Sequence, residues 1–263
     1  MKLRILGCGT STGVPVVACN CKVCSSSNPK NKRLRTSALI EAGPETRILI
    51  DAGPDFRQQA LTAGIERLAA VLFTHAHADH VLGVDDLRAL SFRYEVPISL
   101  FATTITFAAI KEVFRYIFEP NPNYEGGLIT KATVHEIADY TPFTVAGVEI
   151  LPFPLGHGSS TVTGFKIGDL VYATDCNSIP PRSREIMQGA PHLILDGLGL
   201  KQHATHYTVR EAAEVAQKLG AQQTVLIHMT HSIDYAEVQA LLPPNVELAY
   251  DGMEIEFQGA GNI

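Results

Sequence analysis

Thr74-His75-Ala76-His77-Ala78-Asp79-His80 is the stretch on which the reading of this chain turns. Three histidines and a carboxylate fall within six residues, directly behind the apolar run Ala69-Ala70-Val71-Leu72-Phe73. Imidazole and carboxylate bind divalent metals, and this spacing lets one short turn feed two adjacent ions. His75 and His77, two apart, point the same way as a strand ends. Asp79 and His80 then fall on the first helical turn that follows and can reach a second ion. A surface histidine tract needs no such flanks, whereas a strand closing on a metal-bearing loop does.

Three later residues extend the pattern. His157 follows the apolar segment 148–155, Asp175 ends 170–174, and His228 ends 224–227. Each lies just past the C-terminal end of a strand-like run, where the loops of a rigid sheet gather side chains from distant parts of a chain. Taken singly, the two histidines would be ordinary ones and Asp175 a turn residue or helix cap. As an ordered set behind the first motif they read as ligands. Asp51, in Asp51-Ala52-Gly53, ends another such run. It is either a plain turn aspartate or a hydrogen-bond partner behind a metal-bound imidazole.

With 263 residues the chain can bury a large core and still form one domain, so residues 1–263 are read as a single domain. Hydrophobic residues at 46% and charged residues at 18% describe an ordinary globular protein. A formal net charge of −6 argues against non-specific attraction to nucleic acid. The apolar part of the first seven residues is too short for a signal peptide. No segment approaches the roughly twenty apolar residues that span a bilayer. A cytoplasmic protein without a membrane partner is expected. Five cysteines there argue against a disulfide scaffold. Cys19, Cys21 and Cys24 form C-x-C-x-x-C in a polar loop and are either free thiols or part of a structural zinc site that needs a fourth ligand. Cys8 and Cys176 read as packing residues.

Strand-like runs recur near residues 2–7, 37–42, 47–51, 70–74, 97–102, 147–154, 162–167, 170–174, 192–197, 223–227 and 253–257. Helical patterns interleave at about 55–63, 85–94, 104–118, 181–188, 208–219 and 234–241. Thr208 and Glu211 make a capping-box start, with Gly220 as the stop. Strands and helices in both halves predict an α/β protein with two sheets sandwiched between helices. The turn-rich insertion 119–130 is a surface connection or a lid or dimer element.

The H-x-H-x-D-H signature and its ordered followers resemble the metallo-β-lactamase fold superfamily over nearly the whole chain, which implies an αββα sandwich. By that resemblance His75, His77 and His157 hold one divalent ion (zinc or manganese). Asp79, His80 and His228 hold the other, and Asp175 bridges them. Position 78 is Ala, where relatives that bind redox di-iron carry Glu, which favours hydrolysis. Asp-x-Gly is common in the superfamily where Asp51 stands, which favours its supporting role.

Gly7-Cys8-Gly9-Thr10-Ser11-Thr12-Gly13-Val14-Pro15, followed by the cysteine cluster, resembles the phosphoribosyl cyclic phosphate phosphodiesterase branch, which is related to the tRNA 3′-processing endonucleases. Members carry a structural zinc on three such cysteines and a histidine just after the last active-site histidine. His231 matches that position. His206 matches a family histidine thought to protonate the leaving oxygen, a role that suits a group poised near neutral pH. Family members also imply a homodimer.

These observations predict a metal-dependent phosphodiesterase acting on a small cyclic ribose phosphate or nucleotide-like diester. Asp79 and Asp175 orient the attacking water, and His206 acts as the acid. Arg88 is the candidate substrate-binding cation, with Arg33 and Arg35 as others. The glycine-rich loop 9–13 lacks the Gly-Lys-Ser/Thr ending of a nucleotide P-loop and reads as a loop shaping the floor of the site. The rivals are an acyl hydrolase (thioesterase, lactonase or β-lactam hydrolase), a tRNA 3′-processing endonuclease, and a non-catalytic scaffold. An endonuclease arm would need basic residues, and 119–130 has none. Scaffold relatives tend to lose ligands that are all present here.

Overall fold

The computed structural model describes residues 1–43, 45–121 and 126–259. Six strands open it: β1 (Lys2–Gly7), β2 (Ser37–Glu41), β3 (Arg47–Ile50), β4 (Ala70–Leu72), β5 (Ile98–Ala102) and β6 (Ala132–Glu136). Seven more build a second sheet: β7 (Phe143–Val145), β8 (Val148–His157), β9 (Ser160–Ile167), β10 (Leu170–Ala173), β11 (His192–Asp196), β12 (Gln223–Ile227) and β13 (Val246–Leu248). The last strand, β14 (Glu254–Glu256), returns to pair with β1, so each sheet has seven strands. In each sheet neighbours run antiparallel on one side and parallel on the other. Parallel pairing covers β3 to β6 and β10 to β13.

Side-chain alternation explains the layering. Leu3, Ile5, Ala38, Ile40, Ile48, Ile50, Ala70 and Leu72 point into the core shared with Phe153, Phe165, Tyr172 and Ile194 of the second sheet. Their neighbours Leu39, Leu49 and Val71 face the opposite way, into a cluster with Phe56, Phe107 and Ile110. Strands apolar on both faces need cover on both. Helices supply the outer cover: α1 (Phe56–Ala63), α2 (Ala78–Val81), α3 (Arg88–Arg93), α4 (Thr104–Val113), α5 (Arg115–Phe118), α6 (Pro181–Met187), α7 (Val209–Leu219) and α8 (Tyr235–Gln239). The expected αββα sandwich is present. No helix of the described residues is long and apolar enough to cross a membrane.

Local differences have local causes. The pattern read as one helix over 104–118 breaks at Phe114, whose φ of −108° and ψ of 39° leave helical space. The pattern over 85–94 begins as a 3-10 turn, Val84–Leu87. Strand β8 runs to His157 itself and turns through Gly158-Ser159 into β9, so the histidine closes its strand from within the hairpin. β6, β7 and β13 were not expected. Residues 122–125 of the insertion lie outside the described residues, and Thr130 at its end bonds the Val84 and Asp85 carbonyls.

Candidate active site

Parallel strands end on a common edge, and the signature residues leave from there. Thr74 follows β4 and ties the two sheets, accepting at its carbonyl the N–H of Thr163 at 2.8 Å. Met229, after β12, exchanges backbone bonds with Cys8 and Thr10, after β1. Three site residues stand in left-handed backbone at these strand ends: Asp51 (φ 61°), Asp175 (φ 55°) and His228 (φ 65°). Such conformations cost about 1–3 kcal/mol and persist where surrounding structure holds them. Gly53 permits the close approach of α2: a β-carbon there would sit 2.0 Å from the carbonyl oxygen of Asp79.

One ligand atom each from Asp79, His80, Asp175 and His228 gathers within 4.8 Å, and a second group joins His75, His77 and Asp175. Asp175 belongs to both. His157 stands just outside the second group, its ring 5.1 Å from that of His77 and 5.7 Å from that of His75. His80 Nε2 is 3.3 Å from Asp79 Oδ2 and 3.4 Å from Asp175 Oδ2, yet it is buried without a directed hydrogen bond. His157 Nδ1 is likewise buried and unpartnered. Buried imidazole nitrogens without partners, beside carboxylates, fit a divalent cation by geometry and by donor chemistry.

The electrostatics agree. Burial alone would raise the Asp175 carboxyl, but His228 and His80 outweigh it and hold it well below the usual carboxylate range. Burial lowers His75 well below its ordinary value, reinforced by His80. Burial also works against a proton on His80, but Asp175 and Asp51 overcome it and raise its pKa well above the ordinary value. Asp175 and His80 thus favour positive charge between them, and a divalent ion bound there would supply it.

Partners behind these rings fix their orientation. Asp51, fully buried, accepts from His80 Nδ1 at 2.7 Å and from the Thr74 N–H and hydroxyl at 2.8 Å each. His228 lies between Thr36 Oγ1, 3.1 Å from Nδ1, and Thr10 Oγ1, 3.2 Å from Nε2. His206 stacks on His228 with ring centroids 5.0 Å apart, and its Nδ1 lies 3.1 Å from Asp196 Oδ2. Burial raises the Asp196 carboxyl to about 7, against the lowering effect of His206. Burial lowers His206, but the bond to Asp196 more than compensates and its pKa is raised. Thr10, Thr36 and Asp196 escaped the sequence reading. Asp196 carried a usable sign, an acid closing an apolar strand as Asp51 and Asp175 do.

Thr10, His77, Asp79, His157, Asp175, His206 and His228 line a cleft of ≈690 Å3. The sequence-predicted cations do not. Arg88 pairs with Asp85 at 3.3 Å and is not among the residues lining the cleft. Arg33 is buried, donating to the carbonyls of Thr230 at 3.1 Å and Ile233 at 2.8 Å. Arg35 is held by Asp55 at 2.8 Å. A larger, open groove of ≈990 Å3 around Met1, Asp169 and Gln258 contains none of the clustered ligands.

Beside the cleft, Cys19, Cys21, Cys24 and His231 form a third group within 4.8 Å. His231 Nδ1 lies 3.3 Å from Cys19 Sγ and 3.5 Å from those of Cys21 and Cys24. The Cys24 N–H donates to Cys21 Sγ and draws that thiol down to about 6. Three thiolates and an imidazole suit zinc. Cys8 and Cys176 are buried packing residues, as expected.

A family model described as the β-lactamase superfamily domain matches residues 46–229. The chain belongs to the metallo-β-lactamase fold superfamily. Within it, the chain is similar to the crystal structure of a new diphosphatase from the PhnP family, with a TM-score of 0.91, 38% identity and 98% of each chain covered. It is 40% identical over 256 residues to an octanoyltransferase of Porphyromonas gingivalis, covering 97% of this chain and 51% of that protein. The chain thus spans about half the length of that relative. A ribonuclease Z of Mycobacterium sp. is 26% identical over 264 residues, covering 87% of this chain and 92% of its own. Superfamily membership and the buried donor groups together support a metal-dependent hydrolase.

Proposed function

We propose that this hydrolase is a dinuclear phosphodiesterase acting on a small cyclic ribose phosphate or nucleotide-like diester. The observation that carries the reading is one carboxylate, Asp175, shared by two donor groups, with His206, held from behind by Asp196, facing the same cleft. His75, His77, His157 and Asp175 would hold one ion, and Asp79, His80, His228 and Asp175 the other; zinc and manganese both suit these nitrogen and oxygen donors. When bound, such a pair supplies Lewis acidity and a water with a pKa lowered towards about 7.

This chain's own residues do the rest. Asp79 and Asp175 orient the attacking water. His206 delivers a proton to the departing oxygen, and Asp196 keeps that imidazole charged and aimed. Asp51, Thr10 and Thr36 hold the ligand rings in place. Cys19, Cys21, Cys24 and His231 would hold a structural zinc, which would brace the loop carrying His228. A reducing, cytoplasmic setting suits these thiols, and a homodimer is proposed from the family resemblance alone.

A second reading is acyl transfer chemistry on the same centre, favoured by the octanoyltransferase name of the 40% identical relative. The ribonuclease Z name raises tRNA processing, but 119–130 offers no basic arm. Assaying the metal-loaded protein against a cyclic ribonucleotide, an octanoyl thioester and a 3′-extended tRNA separates the three. The diester alone should turn over, and preferential turnover of either other substrate overturns the assignment.

A further inference from the structure

Arg33 is the largest of the fully buried side chains among the described residues, 2% exposed, and it does not line the cleft. Burying a guanidinium is costly unless its N–H groups are hydrogen-bonded. Here those bonds converge on one segment. Nη1 donates to the Thr230 carbonyl at 3.1 Å, and Nη2 donates to the Ile233 carbonyl at 2.8 Å. Nη2 also donates to Asn31 Oδ1 at 3.2 Å. Asn31, itself fully buried, accepts the Tyr235 N–H at 2.8 Å and donates to Asp234 Oδ2 at 3.1 Å, so the grip extends to the start of α8.

The gripped segment joins the two candidate metal centres. His228 stands just before it, and His231 lies between the two gripped carbonyls. The Arg33 backbone reaches the same two centres. It exchanges bonds of 2.7 and 2.8 Å with Val14, and the nearby Val16 N–H donates to Cys24 Sγ at 3.3 Å. On its other side Arg33 abuts Gly9, where a β-carbon would sit 2.9 Å from the Arg33 carbonyl oxygen. The neighbours of Gly9, Cys8 and Thr10, are the residues that bond Met229. The rigid fork of a guanidinium can hold two carbonyls in one relative position, which a single flexible ammonium does less well.

We propose that Arg33 is a positioning residue that couples the two metal centres. The inference rests on reading Cys19, Cys21, Cys24 and His231 as a metal site, and not on the identity of the substrate. An ion on those four donors fixes His231. Arg33 holds the carbonyls on either side of His231, so the segment that follows His228 loses its freedom. His228 then meets the dinuclear centre already ordered, and an ion binding there loses less conformational entropy. Linkage makes the effect reciprocal: an ion on Asp79, His80, Asp175 and His228 strengthens binding at the thiolates by the same factor.

The test titrates manganese into reduced, metal-free protein whose thiolate group is either empty or filled with one equivalent of cadmium. Cadmium is soft and seeks thiolates, whereas manganese suits the nitrogen and oxygen donors. Thiolate-to-cadmium absorption reports where the cadmium sits. The wild type should bind manganese about tenfold more tightly, or better, with cadmium in place. Arg33→Met keeps the bulk without the fork and should bring that ratio to within about twofold of unity. Arg33→Lys keeps the charge on a single point donor and should fall between. A merely structural role would weaken both ions alike and leave the ratio unchanged. Equal manganese affinity with and without cadmium in the wild type overturns the proposal, whether or not either variant folds. Full coupling in Arg33→Met also overturns it. Absence of thiolate-to-cadmium absorption overturns the metal-site reading and the proposal with it, while the phosphodiesterase reading stands.

Discussion

His206 shows how much a single residue depends on what stands behind it. Its identity as a candidate acid was legible from Thr205-His206-Tyr207-Thr208 and the family resemblance. Its partner was not, because Asp196 lies ten residues earlier and meets the ring only through the fold, at 3.1 Å. A buried carboxylate that favours the imidazolium makes the proton available near neutral pH. His206→Gln should therefore lower kcat about 10²–10³-fold on diesters with alkoxide leaving groups. It should leave turnover of p-nitrophenyl diesters within about tenfold of the wild type, because that leaving group departs without a proton. Leaving-group dependence measured on both proteins checks this, and an equal loss on both substrate types would assign His206 a positioning role instead.

At the scale of elements, the site depends on how closely α2 sits against the end of β3. Gly53 and Asp79 touch backbone to backbone, so Asp79 and His80 take their positions from a contact without room for a side chain. Gly53→Ala should destabilise the fold by about 1–3 kcal/mol and impair metal loading. Denaturant unfolding together with metal analysis would show whether both effects appear, and unchanged metal content in the folded variant would refute the linkage. Legibility followed element length and pattern. Ile48-Leu49-Ile50-Asp51 and Leu193-Ile194-Leu195-Asp196 announce buried strands by unbroken apolar residues closing on an acid. β7 and β13 hold three residues each, too few for periodicity to speak. β6 is an edge strand, with an alternation blurred by Thr133, His135 and Glu136. Phe114 interrupts a helix whose apolar spacing runs on through the break.

The whole molecule repeats one arrangement twice: a sheet antiparallel on one side and parallel on the other, with its parallel strands ending at a shared edge. The halves contribute unequally. The first brings Asp51 and the 75–80 signature, and the second brings His157, Asp175, His206 and His228. That division was readable in outline, because each residue follows an apolar run and the family resemblance ordered them. The binding face was not readable. Arg33, Arg35 and Arg88 are ordinary cations in the sequence, and only three-dimensional structure shows that none of the three lines the cleft: Arg33 bonds backbone carbonyls, and Arg35 and Arg88 pair with Asp55 and Asp85. The account stands or falls on Asp175, among the described residues the single carboxylate that belongs to both donor groups. The decisive measurement is hydrolysis of bis(p-nitrophenyl) phosphate by the manganese- or zinc-loaded protein and by Asp175→Asn, with metal content determined for each. The account predicts turnover in the wild type, a loss of about 10³-fold or more in the variant, and a variant that stays folded but retains less metal. Equal turnover in the two proteins, or none in a wild type carrying two ions at the site, would contradict it.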